Sequence, residues 1–175
     1  MEHLKYPIGK FEYGKSYTLT DTQQHLMEIE QFPDQLKKIV ASLNTQQLDT
    51  PYRPNGWIGK QVIHHLADSH MNGYIRTKLT LTENKPTIKP YKEELWANLE
   101  DAKNAPIFIS LALIEAIHYR WVYLLKSTTN LETELQKKYI HPEYQREFKL
   151  QEQLALYAWH GNHHYGHLQI IKNLP

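Results

Sequence analysis

Four stretches of this sequence, each about twenty residues long, repeat apolar side chains at the three-to-four-residue spacing of an α-helix, and no stretch sustains the alternation of a strand. The spacing predicts a first helix from about Thr20 to Leu43, with Leu26, Ile29, Leu36, Ile39, Val40 and Leu43 on one side. Pro33 falls inside it and is expected to kink or divide it, because proline has no N–H to donate and crowds the preceding turn. A second helix is expected from about Ile58 to Leu81. A third should run from about Ile107 to Lys126, with Leu111, Ile114, Ile117, Trp121 and Leu125 a turn apart, and a fourth from about Leu150 to Lys172.

The segments between them carry turn residues. LDTPYRPNGW (48–57) and ENKPTIKPY (83–91) break the helical pattern. EELWANLE (93–100) and TTNLETEL (128–135) read as short helical pieces, and KKYIHPEYQREFKL (137–150) as loop or a short hairpin. The first 17 residues, with Pro7, Gly9 and Gly14 among aromatics, read as an irregular arm. Four long amphipathic helices without a sheet imply an all-α bundle, and 175 residues suit one domain over 1–175.

Charge removes some function classes. Twenty Lys and Arg stand against nineteen Asp and Glu, with no run of five basic residues, so no electrostatic nucleic-acid interface is expected. The most apolar run, APIFISLALIEAI (105–117), is interrupted by Ser110 and Glu115 and reads as too short and too polar for a membrane span. MEHLKYPIGKFEYG lacks the apolar core of a signal peptide, so a cytoplasmic protein is expected. With no cysteine, any metal must be held by His, Asp, Glu or water.

Histidine is where the chemistry concentrates. Seven of the eleven histidines fall in two windows, 64–70 and 160–167, on two different expected helices. A bundle builds metal sites in this way, from side chains on facing helices. On the last helix, Leu154, Tyr157, Ala158 and Leu168 mark the buried face; His164 and His160 flank it, and His167 and His163 turn progressively outward. His160 and His164, at i and i+4, are therefore the best inward pair. On the second helix the wheel favours His70 as buried, His65 as flanking and His64 as exposed, and does not select a third ligand. Neutral imidazole suits zinc, nickel, copper or iron, and three histidines with water leave an open coordination position.

Other motifs are missing. Gly161 follows His160 where the zincin motif needs its glutamate base. The Glu115-Ala-Ile-His118 segment is a lone copy of the di-iron Glu-x-x-His pattern and reads as helix surface. There is no glycine-rich phosphate loop and no nucleophile elbow.

Taken in order, YPIG, LDTPYR, GW, QVIHHLADSHMN, YIR, LTENKPTIKPY and the last-helix YAWHGNHHYGH resemble the YfiT-like metal-dependent hydrolases of the DinB superfamily over almost the whole chain. The resemblance implies a four-helix bundle of up-down-down-up connection. It also implies a homodimer and one divalent metal per subunit, zinc with nickel as the alternative. In the family pattern the metal is held by the second His of the HH pair and by two histidines four apart on the last helix, which fall on His65, His160 and His164.

Three further residues are candidates. Asp68 is three positions after His65 and could orient its ring or hold a water. Arg76 could receive an anionic group of a small-molecule substrate. His141 could reach a bundle end and line a pocket. Three functions compete: hydrolysis by metal-activated water; transfer of a low-molecular-weight thiol of the bacillithiol kind to an electrophile; and a bundle whose metal does no catalysis.

Overall fold

The computed structural model describes residues 2–174. In chain order it contains α1 (Glu2–Lys5), α2 (Leu19–Ala41), α3 (Thr45–Leu48), α4 (Gly59–Thr82), α5 (Glu93–Trp96), α6 (Glu100–Asn104), α7 (Ile107–Lys126) and α8 (Leu131–Glu134), then strands β1 (Lys138–His141) and β2 (Arg146–Lys149), and last α9 (Leu150–Lys172). The four long helices begin and end within two residues of the periodicity. The 137–150 segment is an antiparallel hairpin pairing Tyr139 with Phe148.

Local chemistry sets the ends. Thr18 and Asp21 form a reciprocal capping box that starts α2: the Asp21 N–H donates to Thr18 Oγ1 at 3.1 Å and the Thr18 N–H to Asp21 Oδ2 at 2.8 Å. Pro106 immediately precedes α7. Pro33 does not divide α2, which continues through it as one helix. The expected break is absent because Pro33 is buried in the bundle core, where packing outweighs one missing hydrogen bond.

Cross-helix contacts fix the directions. Glu30 of α2 pairs with Lys126 of α7, and Lys37 with Glu115, so α2 and α7 run antiparallel. His64, near the start of α4, meets Ser110 near the start of α7, so those two run parallel. Gln153 of α9 donates to the Gly73 carbonyl of α4 while His160 meets His65, so α4 and α9 run antiparallel. The order is therefore up-down-down-up, and residues 83–106 carry the chain back along the length of the bundle.

Two apolar clusters fill the interior. One joins Phe32 and Leu36 of α2 to Val62, Ile63 and Leu66 of α4 and Leu168 of α9. The other joins Leu26 and Ile29 of α2 to Trp121 and Leu125 of α7 and Leu154 and Tyr157 of α9. A layer of buried histidines lies where the two clusters meet. The hairpin adds a small cluster of Ile88, Tyr139 and Phe148. Gly73 lets α4 approach α9 and α7 closely: a Cβ there would lie 2.5 Å from the Tyr157 ring and 2.8 Å from Trp121.

Among the described residues one helix, α7, is long and apolar enough by length and composition to cross a bilayer. The run 105–117 was expected to be too short and too polar for a span, but the helix that contains it extends beyond Ile117 to Lys126. The added residues include His118 and Trp121, both buried against the bundle.

Candidate metal centre

Antiparallel packing of α4 on α9 brings His65 against His160 and His164. One ring nitrogen from each of the three lies within 4.8 Å of the others. His65 Nε2 and His160 Nε2 are 3.1 Å apart. The ring centroid of His164 lies 4.8 Å from that of His65 and 4.5 Å from that of His160. The helical repeat accounts for half of this, since residues four apart on α9 stack on one side. Trp57, from the loop before α4, packs on His65 and His164 and limits their rotation.

Burial sets the protonation state. It pushes His65 down to about 3, and His160 and His164 well below the ordinary histidine value, with the neighbouring imidazoles adding to the effect. All three rings are neutral at pH 7, the form that offers a lone pair to a metal.

A second set of nitrogens, from His163, His164 and His167, is equally close. Its hydrogen bonds distinguish it. His167 Nε2 lies 3.2 Å from the Lys5 carbonyl oxygen, and His167 Nδ1 lies 3.2 Å from His164 Nδ1. A neutral imidazole has one N–H and one lone pair, and both are engaged here. His167 thus has both ring nitrogens engaged and no lone pair left for an ion, which leaves His65, His160 and His164 as the set whose nitrogens can all face one ion.

These histidines also correct the helical wheel. His163 and His167 are buried, not outward, because α1 and the arm lie over that face and Tyr52 stacks on His167 at 3.9 Å. His64, expected to be exposed, is buried under the segment after α6, with Nε2 3.1 Å from the Ala105 carbonyl oxygen. His118, expected at the surface, is 1% exposed. His70 is buried as the wheel predicts. Its Nε2 lies 3.1 Å from His160 Nδ1 and its Nδ1 2.7 Å from His118 Nε2, so it stands behind the centre.

The three histidines form part of the wall of a cavity of about 580 Å³, which extends to Arg76, His141 and Tyr157. His65, Ser69 and Arg76 lie on one stripe of α4, at offsets of four and eleven residues, and all three face this space. The Arg76 guanidinium is buried, its Nε lacks a partner, and its Nη1 is 3.5 Å from Tyr157 Oη. His141, on β1, is buried with an unpartnered Nδ1; burial, then the nearby Arg76 charge, lowers it to about 4.

The structure thus brings Arg76 and His141 into the cavity of the three histidines, and does not bring Asp68 there. Asp68 does not line the cavity, and no hydrogen bond joins its carboxylate to His65 among the described residues. Burial and the charge of Asp101 raise its carboxyl to about 6. Three positions along a helix place it on a neighbouring face of α4, toward α6, rather than beside the His65 ring. Trp159 also lines the cavity and stacks on His163 at 4.6 Å. Sequence reasoning missed Ser69, Tyr91 and Tyr157 as cavity residues. The stripe containing His65 carried the signal for Ser69; nothing local marks Tyr91, which arrives from the 83–106 connection.

The profile of the DinB superfamily matches residues 28–168. Relatives from Bacillus cereus and Bacillus anthracis, each named "Putative metal-dependent hydrolase", are 50% identical over 173 residues, covering 98% of this chain and 97% of theirs. The solved structure of YfiT from Bacillus subtilis is 41% identical with a TM-score of 0.92, over 97% of this chain and 95% of that one. It is described as a probable metal-dependent hydrolase with an unusual four-helix bundle topology.

Proposed function

The chain belongs to the DinB superfamily, and from that premise we propose that it is a metal-dependent hydrolase whose divalent ion, zinc, is held by His65, His160 and His164. The observation that carries this reading is the convergence of three neutral imidazoles from two antiparallel helices on one wall of a 580 Å³ cavity. The donor set fits the ion: three neutral nitrogens suit a borderline divalent metal and leave a coordination position for water or substrate.

A zinc ion bound there supplies Lewis-acid polarisation of an electrophile and acidifies a coordinated water. The chain's own residues do the rest. Trp57 and the helix backbones hold the ligand rings. Arg76, buried without a carboxylate partner at its Nε, offers its charge to an anionic group of the substrate at the far part of the cavity. His141, beside it and neutral at pH 7, can accept or donate a hydrogen bond to the same group.

Metal analysis of untagged protein followed by assay of carboxylate-bearing aryl esters tests the proposal. Stoichiometric zinc and turnover lost in His65→Ala, His160→Ala and His164→Ala are expected. Absence of metal binding at micromolar zinc sinks the reading. A rate proportional to added small thiol, with none in its absence, replaces hydrolysis by thiol transfer at the same centre. Full activity in all three variants would make the metal non-catalytic.

A further inference from the structure

A chain of three histidines runs inward from the centre and ends on a main-chain carbonyl. His160 Nδ1 is 3.1 Å from His70 Nε2; His70 Nδ1 is 2.7 Å from His118 Nε2; His118 Nδ1 is 2.6 Å from the Ile29 carbonyl oxygen. The rings come from α9, α4 and α7, and the carbonyl from α2, so each long helix contributes one member. Phe32 stacks on both His70 and His118 at 5.7 Å and closes the chain from the side.

The last acceptor decides every proton before it. A carbonyl oxygen can only accept, so His118 Nδ1 must carry the hydrogen. A buried neutral imidazole has one N–H and one lone pair, so a ring that donates at one nitrogen accepts at the other. His118 Nε2 is then a lone pair and accepts from His70 Nδ1–H. His70 Nε2 accepts in turn from His160 Nδ1–H. His160 is left with its lone pair on Nε2, the atom that faces His65 Nε2 at 3.1 Å.

The source of the free carbonyl is Pro33. In an uninterrupted α-helix the Ile29 carbonyl accepts the N–H of residue 33, and proline has none. The proline that the sequence marks as a flaw in α2 therefore leaves an acceptor pointed at α7, and His118 takes it.

We propose that His70 and His118 are positioning residues that act through His160: anchored on the Ile29 carbonyl that Pro33 leaves free, they hold His160 in the Nδ1–H tautomer and so select Nε2 as its metal-binding atom. This rests on the proposed ligand role of His160. Partners of ligand histidines fix ring orientation and tautomer, and their loss typically weakens metal affinity about 10–100-fold. His118 is two hydrogen bonds away from His160, so an effect of its substitution on metal binding must pass through His70. A related arrangement on the other ligand, with His167 Nε2 near the Lys5 carbonyl oxygen and Nδ1 near His164 Nδ1, leaves His164 Nε2 free by the same logic.

Two readouts on the full chain test the proposal. Long-range ¹H–¹⁵N NMR of the metal-free protein reports which nitrogen of each histidine is protonated, and chelator competition gives the Zn²⁺ dissociation constant. In wild type, His118, His70 and His160 are all expected as Nδ1–H. His118→Leu removes the acceptor of His70; His70 then shifts to Nε2–H and donates to His160 Nδ1, and His160 gains Nε2–H signal while Zn²⁺ binding weakens about 10-fold or more. His118→Gln, whose side-chain oxygen can still accept from His70, is expected to keep the His160 tautomer and hold Zn²⁺ affinity within about threefold. Leu and Gln variants with the same affinity loss, or a wild type with His160 protonated at Nε2, overturn the proposal. If the Leu variant has a lower Tm but an unchanged His160 tautomer and Zn²⁺ affinity, His118 is structural only and the proposal also fails. A wild type that shows the three tautomers yet binds no Zn²⁺ sinks the ligand role of His160, and with it the selection of a metal-binding atom, while the hydrogen-bond chain itself is shown by the tautomers.

Discussion

Arg76 is the residue whose environment is hardest to reconcile with stability alone. A buried guanidinium without a carboxylate partner costs free energy that the fold must supply elsewhere. A site that receives an anionic substrate explains why such a charge is kept. Arg76→Met should therefore leave the thermal midpoint unchanged or raise it, while lowering kcat/KM for carboxylate-bearing esters at least tenfold and for neutral esters much less. Equal losses on both ester classes, measured side by side, would remove Arg76 from substrate binding. The sequence offered Arg76 only as a charge that could receive an anionic group; that it shares the His65 stripe of α4 and faces the same cavity is what the structure adds. It misplaced Asp68 by local reasoning: three residues is close in sequence, but α6 draws that face toward Asp101 and away from the cavity.

At the scale of elements, close approach is what assembles the site. α4 and α9 meet where Gly73 has no side chain, and filling that space forces the Tyr157 and Trp121 rings apart. Gly73→Ala should cost about 1–3 kcal/mol of stability, the usual penalty of overpacking, seen as a lower urea midpoint. It should also disturb the cavity, because Tyr157 lies between Gly73 and Arg76. The arm makes a second such contact. A Cβ on Gly166 would lie 2.7 Å from Pro7, so Gly166→Ala should lift the arm and loosen the Lys5 carbonyl from His167. Weaker Zn²⁺ binding with little change in helix content by circular dichroism is the expected result; unchanged affinity would show that the arm does not steady His164. The long helices were legible in the sequence because their periodicity is local. The fate of the arm was not, since only its docking on α9 gives those residues a role.

For the molecule as a whole, the density of buried histidines should dominate its response to acid. Burial lowers His65 to about 3, and His118, His163 and His167 to about 4, against an ordinary value of 6.5. The unfolded chain therefore binds protons that the folded chain refuses. Stability contributed by these rings is complete above pH 6.5 and is lost as pH falls from there toward 4. The urea midpoint of the metal-free protein should fall between pH 7 and pH 5, above the carboxylate range; a midpoint flat down to pH 5 would contradict the burial of these rings. A second whole-molecule property is assembly. Phe108, Tyr119 and Tyr123 stand on one side of α7, each at least 67% exposed, and we propose that this side pairs with a second copy of the chain. Light scattering should give the mass of a dimer for wild type and of a monomer for Phe108→Glu combined with Tyr119→Glu; a monomeric wild type would sink the pairing.

The sequence by itself determined the four helices and the pairing of His160 with His164, because a 3.6-residue repeat and an i, i+4 spacing are set by the backbone within one helix. It did not determine which face of each helix is covered. Periodicity reports only the apolar stripe, and polar residues beside it are buried or not according to what packs there from far along the chain. Residues as distant as Lys5, Tyr52 and Ala105 close over His167 and His64. Only the tertiary structure placed His65 opposite its partners and set His118 against the carbonyl that Pro33 leaves free. A histidine's nitrogens take their roles from the atoms they face, and those atoms belong to other helices.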